Sequence, residues 1–283
     1  MIQSSSSDGR MLKILHGSDF HFGSPHLPQV TLGFKRLVND INPNVIVLSG
    51  DFTQRAKVEE YRQARSFLDS LPNIPTIVTP GNHDVPLYRL SQRLFNPFRN
   101  YQEFISQNLD TVTRTDGAIF VALNSADPYR SIINGRIGPN QLEFAADAFR
   151  GSSSEDIKVL VMHHPLVQSP DEGKHDILPG STFLLESFND MGVELILSGH
   201  VHRAFVSYLE ANIDEQKISE AMLIVHSGTT ASNRGRVYEK RRNTLNVLEL
   251  GNSDFKVNTY WYEAGEGAFL ARGTNVFRRR TFK

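Results

Sequence analysis

The residues with the most chemistry to offer fall in five short clusters: Asp19 with His21; Asp51; Asn82, His83 and Asp84; His163; and His200 with His202. They supply carboxylate oxygen, imidazole nitrogen and amide oxygen, and the chain has no cysteine to add sulfur. Such donors suit Mn, Fe, Zn, Co or Ni and disfavour ions that seek thiolate. Asp19 and His21 stand two apart, as do His200 and His202. In an extended segment, side chains at i and i+2 share a side, so each pair can serve one ion. The seven candidate ligands (Asp19, His21, Asp51, Asn82, His163, His200, His202) exceed what one tetrahedral structural site takes. The expectation is therefore two ions sharing a bridging carboxylate. Two such ions can clamp a phosphoryl group during in-line displacement. Any one of these histidines, taken alone, is more often a packed or solvated residue than a ligand. Their joint placement carries the reading.

Each cluster ends a short apolar run. Leu12–Leu15 precedes Asp19, Val45–Leu48 precedes Asp51, and Thr76–Thr79 runs into Pro80-Gly81-Asn82-His83-Asp84. Val159–Met162 delivers His163, and Leu195–Leu197 delivers Gly199-His200-Val201-His202. A Gly-Asn-x-Asp string by itself is an ordinary turn. Five strand ends that all present hard ligands describe a site assembled from the whole fold. Apolar residues at helical spacing predict helices from about Gln29 to Asn39 and from Lys57 to Leu71. Others are expected at Pro139–Phe149 and Thr182–Asn189. The order β-α-β-α-β up to Thr79 argues a parallel sheet with crossover helices. Ligands bind beyond the carboxyl ends of such strands. Leu87 to Gln107 reads as a helix in two pieces around Asn96-Pro97, its aromatics covering a sheet edge or lining a pocket. After His202 the chain is β-rich, with runs at Ala204–Leu209, Ala221–His226, Thr244–Leu250 and Phe255–Tyr262. That switch is expected where a second sheet packs against the first.

With 283 residues, 39% hydrophobic and 22% charged, the chain has the composition of a soluble globular protein with a real core. We expect one domain over residues 11–283 behind a polar, flexible lead at 1–10. A net charge of −1 gives no global field for nucleic acid, which is not an expected partner. Arg234, Arg236, Lys240, Arg241 and Arg242 form a basic segment, read as a surface hairpin unless it nears a substrate phosphate. Arg278-Arg279-Arg280 reads as a solvated tail. The N-terminus lacks the basic and apolar regions of a signal peptide, and no run approaches the roughly 18 apolar residues of a membrane span. A cytoplasmic location is the expectation, and the absence of cysteine fits a reducing compartment. Of the remaining histidines, His16 and His164 read as structural, His175 as a solvated loop residue with a substrate contact as the alternative, His226 as either a neighbour of the site or a structural residue, and His26 carries no signal.

In order and spacing, Asp19-x-His21, Gly50-Asp51, Gly81-Asn82-His83-Asp84, His163 and Gly199-His200-x-His202 resemble the calcineurin-like metallophosphoesterases, over residues 12 to about 203. The strings Gly50-Asp51-Phe52-Thr53-Gln54 and His163-His164-Pro165 are similar to the bacterial class III cyclic-nucleotide phosphodiesterases. Leu166 departs from them where relatives often carry a second proline, which bears on subgroup and pocket shape rather than chemistry. The resemblance implies an α/β fold, a four-layer α-β-β-α sandwich of two mixed β-sheets. It implies one ion held by Asp19, His21 and His202 and another by Asn82, His163 and His200, with Asp51 bridging. Mn and/or Fe are the first candidates, with Zn, Co or Ni allowed. His83 would be the proton donor, oriented by Asp84, while a metal-held hydroxide attacks phosphorus. The implied activity is a metal-dependent phosphodiesterase for a small-molecule phosphodiester, 3′,5′-cyclic nucleotides first. Alternatives are phospholipid head groups, glycerophosphodiesters, nucleotide-sugar lipids, a phosphomonoester, a nucleic acid, or a scaffold without catalysis. The intact ligand set speaks against the scaffold. A lipid substrate would be favoured by an exposed apolar patch on the 87–107 segment. A homodimer is allowed.

Overall fold

The computed structural model describes residues 11–129, 133–170, 177–210, 221–236 and 239–280. The lead at 1–10 and His175 lie outside them. Strands β1 (Leu12–Gly17), β2 (Val45–Leu48) and β3 (Thr76–Val78) pair in parallel, with Ile14 opposite Val45 and Ile46 opposite Thr76. The first two are buried almost throughout, β2 with apolar residues alone and β1 with Leu12, Ile14 and Leu15 beside a buried His16, as befits strands covered on both faces. Between them run α1 (Pro28–Ile41) and α2 (Val58–Asp69). Pro28 sits at the start of α1, where its fixed φ helps and its missing N–H costs nothing. The helix stops at Asn42, whose left-handed backbone returns its N–H to the Val38 carbonyl. The Glu60 carboxylate caps the first turn of α2 by accepting the N–H groups of Arg55 and Lys57.

The second sheet holds β4 (Thr111–Thr115), β5 (Ala118–Ala122), β6 (Ile157–Val161), β7 (Leu195–Ser198), β8 (Phe205–Glu210) and β9 (Ala221–His226), in the order β4-β5-β6-β7-β9-β8. Its four central strands are parallel and both edges antiparallel. Helices α3 (Leu90–Phe95) and α4 (Arg99–Phe104) precede it, and α5 (Pro139–Arg150) and α6 (Ser181–Asp190) follow its strands.

Alternation along each strand builds three apolar seams. Ile14, Val45 and Val47 meet Phe120, Val159 and Leu197 between the sheets. Their neighbours Leu15, Ile46 and Leu48 face outward onto Phe34, Tyr61 and Phe67 of α1 and α2. Leu160 and Ile196 face Phe149 and Phe188 of α5 and α6. Helices, sheet, sheet and helices make the four expected layers, each fully buried large side chain contributing about 1.5–3 kcal/mol.

Two expectations are corrected. The C-terminal strands do not build the second sheet by themselves. β8 and β9 join it, but β10 (Thr244–Leu250), β11 (Asp254–Glu263) and β12 (Ala268–Arg278) extend the first sheet antiparallel to β1. Leu248 and Leu250 continue the inter-sheet seam of Ile14 and Leu12, which fixes that register. Nor is Arg278-Arg279-Arg280 a free tail. Glu194 is buried at the base of β7, and the Arg279 guanidinium meets its two oxygens at 2.8 and 3.2 Å. Arg280 is buried too and donates to Asn189. A buried carboxylate needs a cation, and β12 delivers one.

Candidate metal centre

The parallel strands β1, β2, β3, β6 and β7 end together, and at their ends the backbone turns sharply. Asp19, His21, Asp51, His200 and His202 have φ of 57°, 48°, 54°, 72° and 55°. All five lie in the left-handed region, which aspartate and histidine enter more readily than bulkier residues. The pairs at i and i+2 therefore do share a side, but through left-handed turns and not through the extended backbone expected from the sequence. Such strain costs on the order of 1–3 kcal/mol per residue and persists only where surroundings enforce it. Here the loops brace one another: Asp19 N–H donates to the Gly50 carbonyl at 3.0 Å, His21 N–H to Asp51 at 2.9 Å, and Gly199 N–H to His163 at 3.1 Å. Close approach also demands glycine. A Cβ on Gly81 would overlap Asp51 Oδ1, and one on Gly199 would overlap Ser18 Oγ.

Each carboxylate uses one oxygen for structure and leaves the other bare. Asp19 Oδ2 accepts the His200 N–H at 3.0 Å, while Oδ1 lies 3.5 Å from His21 Nε2 and 3.4 Å from His202 Nδ1. Asp51 Oδ1 accepts the His83 N–H at 2.8 Å, while Oδ2 lies 3.6 Å from His21 Nε2 and 3.4 Å from His163 Nε2. His163 Nδ1 is 2.7 Å from the Ser49 carbonyl, so Nδ1 carries the hydrogen and Nε2 offers a lone pair. That nitrogen and His200 Nδ1 stand 3.1 and 3.0 Å from Asn82 Oδ1. The structure thus brings all seven candidate ligands together in two groups, with Asp51 next to both.

Asp19 Oδ1, Asp51 Oδ2, His21 Nε2 and His202 Nδ1 are buried and accept or donate no hydrogen bond. Orphaned polar atoms cost about 1–3 kcal/mol each, and several converging on common points are what a cation repays. Burial drives His21, His200 and His202 toward their neutral, ligating form, His202 to about 3. Burial also opposes charge on His163 and Asp51, but their mutual attraction together with Asp19 and the Ser49 carbonyl around His163, and with His83 and His21 around Asp51, outweighs it, lifting His163 to about 9 and holding Asp51 well below the usual carboxylate range. A proton on His163 and a metal ion compete for the same lone pair. The donor chemistry fits two metal ions.

His83 projects beside these groups, its ring 4.8 Å from that of His21. Asp84 does not orient it. His83 Nδ1 faces the Gln54 carbonyl at 2.8 Å. The Asp84 carboxylate instead points into the protein, accepting the N–H groups of Phe52, Thr53 and Gly81 and the Thr53 hydroxyl. Being the third residue of the short 3-10 turn Asn82–Asp84, it is directed back under the turn while His83 faces out. Sequence reading missed Gln54 as a partner of His83, although it lies three residues beyond Asp51. Gln54 also accepts, through Oε1, a hydrogen bond from Arg234 at 3.0 Å. From the basic segment, Arg234 therefore reaches the site, whereas Arg242 stacks on Trp261 and Arg236 is exposed. Beside His83 opens a cavity of about 540 Å³ lined by Gln54, Asn82, Val85, Tyr88, Ile133 and Arg234, among others.

His16, His164 and His226 are buried polar residues behind the ligands. His16 Nε2 pairs with Ser49 Oγ, His164 Nδ1 with Ser125 Oγ, and His226 Nδ1 with Ser198 Oγ, each at 2.8–2.9 Å. The His226 ring stacks on Phe205 at 4.0 Å. His26, which carries no signal in the sequence, lies between Phe20 and Thr31 and holds the loop after β1.

What such a pocket is equipped for is metal-assisted hydrolysis of a phosphoric ester. Comparison with known proteins supplies the assignment. The model described as calcineurin-like phosphoesterase matches residues 12–204, and the chain belongs to that family of metal-dependent phosphoester hydrolases. It is 27% identical over 219 residues to a probable cyclic nucleotide phosphodiesterase of Synechococcus sp., covering 73% of this chain and 79% of that one. It is 35% identical over 79 residues to a UDP-2,3-diacylglucosamine pyrophosphatase of Chlamydia muridarum, covering 27% of this chain and 24% of that protein. In fold it is similar to a purple acid phosphatase from yellow lupin seeds, with a TM-score of 0.69 and 12% identity, spanning 96% of this chain and about half (54%) of that one.

Proposed function

We propose that this protein is a dinuclear metal-dependent phosphodiesterase that hydrolyses a small phosphodiester. Asp19, His21 and His202 would hold one ion and Asn82, His163 and His200 the other, with Asp51 shared. Mn and Fe are the first ions to test, because a hard oxygen and nitrogen donor set accepts both. When bound, the ions supply Lewis acidity that polarises a phosphoryl oxygen and acidifies water. The chain's own residues do the rest. Arg234, tethered by Gln54, offers a guanidinium to a non-bridging phosphate oxygen at the cavity mouth. His83 keeps the hydrogen on Nδ1 in its bond to Gln54, so the proton it can give is on Nε2. As a water oxygen bonds to phosphorus and releases a proton to solvent, the opposite phosphorus–oxygen ester bond breaks and the departing alkoxide takes the His83 proton.

The convergence of four partnerless buried atoms, Asp19 Oδ1, His21 Nε2, Asp51 Oδ2 and His202 Nδ1, is the observation that carries this reading. The cavity next to His83 leaves room for an ester substituent, which favours diesters over bare monoesters. Cyclic nucleotides are the first diesters to try, given the relative described as a cyclic nucleotide phosphodiesterase. The test is turnover by Mn-loaded protein of bis(p-nitrophenyl) phosphate and cyclic AMP against p-nitrophenyl phosphate. Chelator-sensitive cleavage of the diesters, with slow monoester cleavage, is expected. Faster monoester cleavage would replace the reading with a phosphatase.

A further inference from the structure

One feature beside the site is used neither by the fold nor by the proposed chemistry. Leu87, Tyr88, Leu90, Leu94 and Phe95 are 44%, 71%, 66%, 58% and 85% exposed, within nine consecutive residues. Large apolar side chains exposed singly are normal, but a contiguous ridge of them marks an interaction surface. Leu90 and Leu94 stand one helical turn apart on α3 and so share a face. The ridge is continuous with the candidate active site, because Leu87 and Tyr88 line the cavity that also holds Asn82 and His83. Ile133, 57% exposed, also lines the cavity. The segment's charge has one sign: residues 87–99 carry Arg89, Arg93 and Arg99 and no carboxylate. Arg55 and Lys57 are exposed beside it, Arg55 lying over the Tyr88 ring at 4.9 Å.

We propose that this ridge docks on an anionic lipid surface and sets the site mouth at the interface, so that the enzyme acts on amphiphilic phosphodiesters presented there. Apolar side chains flanked by arginines are the pattern that enters the headgroup boundary of such a surface. Docking would cover the exposed leucines and Phe95 and turn the cavity toward the lipid headgroups. The substrate class rests on the phosphodiesterase reading; the docking itself does not.

The test uses the full chain and vesicles of phosphatidylcholine with and without phosphatidylglycerol. Co-sedimentation with the anionic vesicles is expected, weakened by salt and by removal of phosphatidylglycerol. The variant Leu90→Ser/Leu94→Ser/Phe95→Ser should bind at least about tenfold more weakly, as should the single variant Phe95→Asp at the most exposed position. Neither touches the cavity, so both should turn over bis(p-nitrophenyl) phosphate like the wild type. Wild-type protein that stays in the supernatant, or variants that sediment equally, would overturn the proposal. So would a wild-type dimer on gel filtration that the variants convert to monomer, which would give the ridge to a second copy. Loss of all diesterase activity in wild-type protein would sink the catalytic reading while leaving the sedimentation result to judge the surface.

Discussion

Replacing Asp84 with asparagine tests how the loop that carries Asn82 and His83 is held. The carboxylate is buried, with Phe52 N–H and Gly81 N–H on Oδ2 at 3.1 and 2.9 Å. Thr53 N–H and the Thr53 hydroxyl meet Oδ1 at 2.8 and 3.0 Å. Burial, with the nearby charge of Asp51, raises its pKa to about 7, while the backbone N–H groups pull it down. In Asp84→Asn one oxygen becomes an NH2 group. Its least costly place is at Oδ1, where it can donate to Thr53 Oγ1, which already accepts from Ala56 N–H. Thr53 N–H then faces another donor and is orphaned, at about 1–3 kcal/mol, and the two bonds to the other oxygen lose their charge assistance, at about 1 kcal/mol together. The expected cost is about 3 kcal/mol, or a drop in melting temperature of about 6 °C for a chain of this size. Thermal melts of wild type and variant at matched metal content and at about pH 8.5, where a carboxyl with a pKa of about 7 is ionised, measure it. Turnover should fall through loosening of the 81–83 loop, yet the His83 ring should keep its partner, the Gln54 carbonyl. A variant that melts with the wild type would show that Asp84 already sits there protonated, refuting its role as the anionic anchor.

Three further outcomes follow from the same contacts. His83→Ala should lower turnover by about 10²–10⁴ while retaining metal, measured by kinetics and metal content; unchanged turnover would remove His83 from the chemistry. Arg234→Gln should raise KM about tenfold with a smaller effect on kcat, since it would remove a phosphate contact made before and during reaction, and Arg234→Lys should recover part of it. His16 is held neutral by burial to about 3, below its usual 6.5. The unfolded chain then binds more protons between those values, so stability from this group is present above pH 6.5 and is lost as pH falls toward 3. In denaturant titrations, His16→Asn should lose roughly 2–3 kcal/mol less stability than wild type between pH 6 and 4.

Four of the five apolar runs were legible because their strands are buried on nearly every residue, whereas β3, with only Ile77 buried, was marked by the Pro-Gly stop that follows it. The polar clusters were legible because every run ended in one. What escaped was set by contacts distant in sequence. β4 is a short, polar, half-buried edge strand, and β12 is a largely exposed edge strand whose apolar residues do not alternate regularly, so no period-2 pattern marks them. The allocation of β8 to β12 between two sheets depends on register with β1 and β7, invisible to local pattern. The left-handed turns at Asp19, His21, Asp51, His200 and His202 are enforced by bonds between separate loops, so the extended reading had no local signal against it. Asp84 and Gln54 exchanged roles for a similar reason: orienting the His83 ring falls to a main-chain carbonyl, which any residue type can supply.

The central claim is that two ions sit on either side of Asp51. The most direct measurement is an anomalous difference map from crystals soaked in Mn²⁺. Two peaks are expected, one among Asp19, His21 and His202 and one among Asn82, His163 and His200, both within reach of Asp51 Oδ2. A single peak, or peaks away from Asp51, would contradict the account.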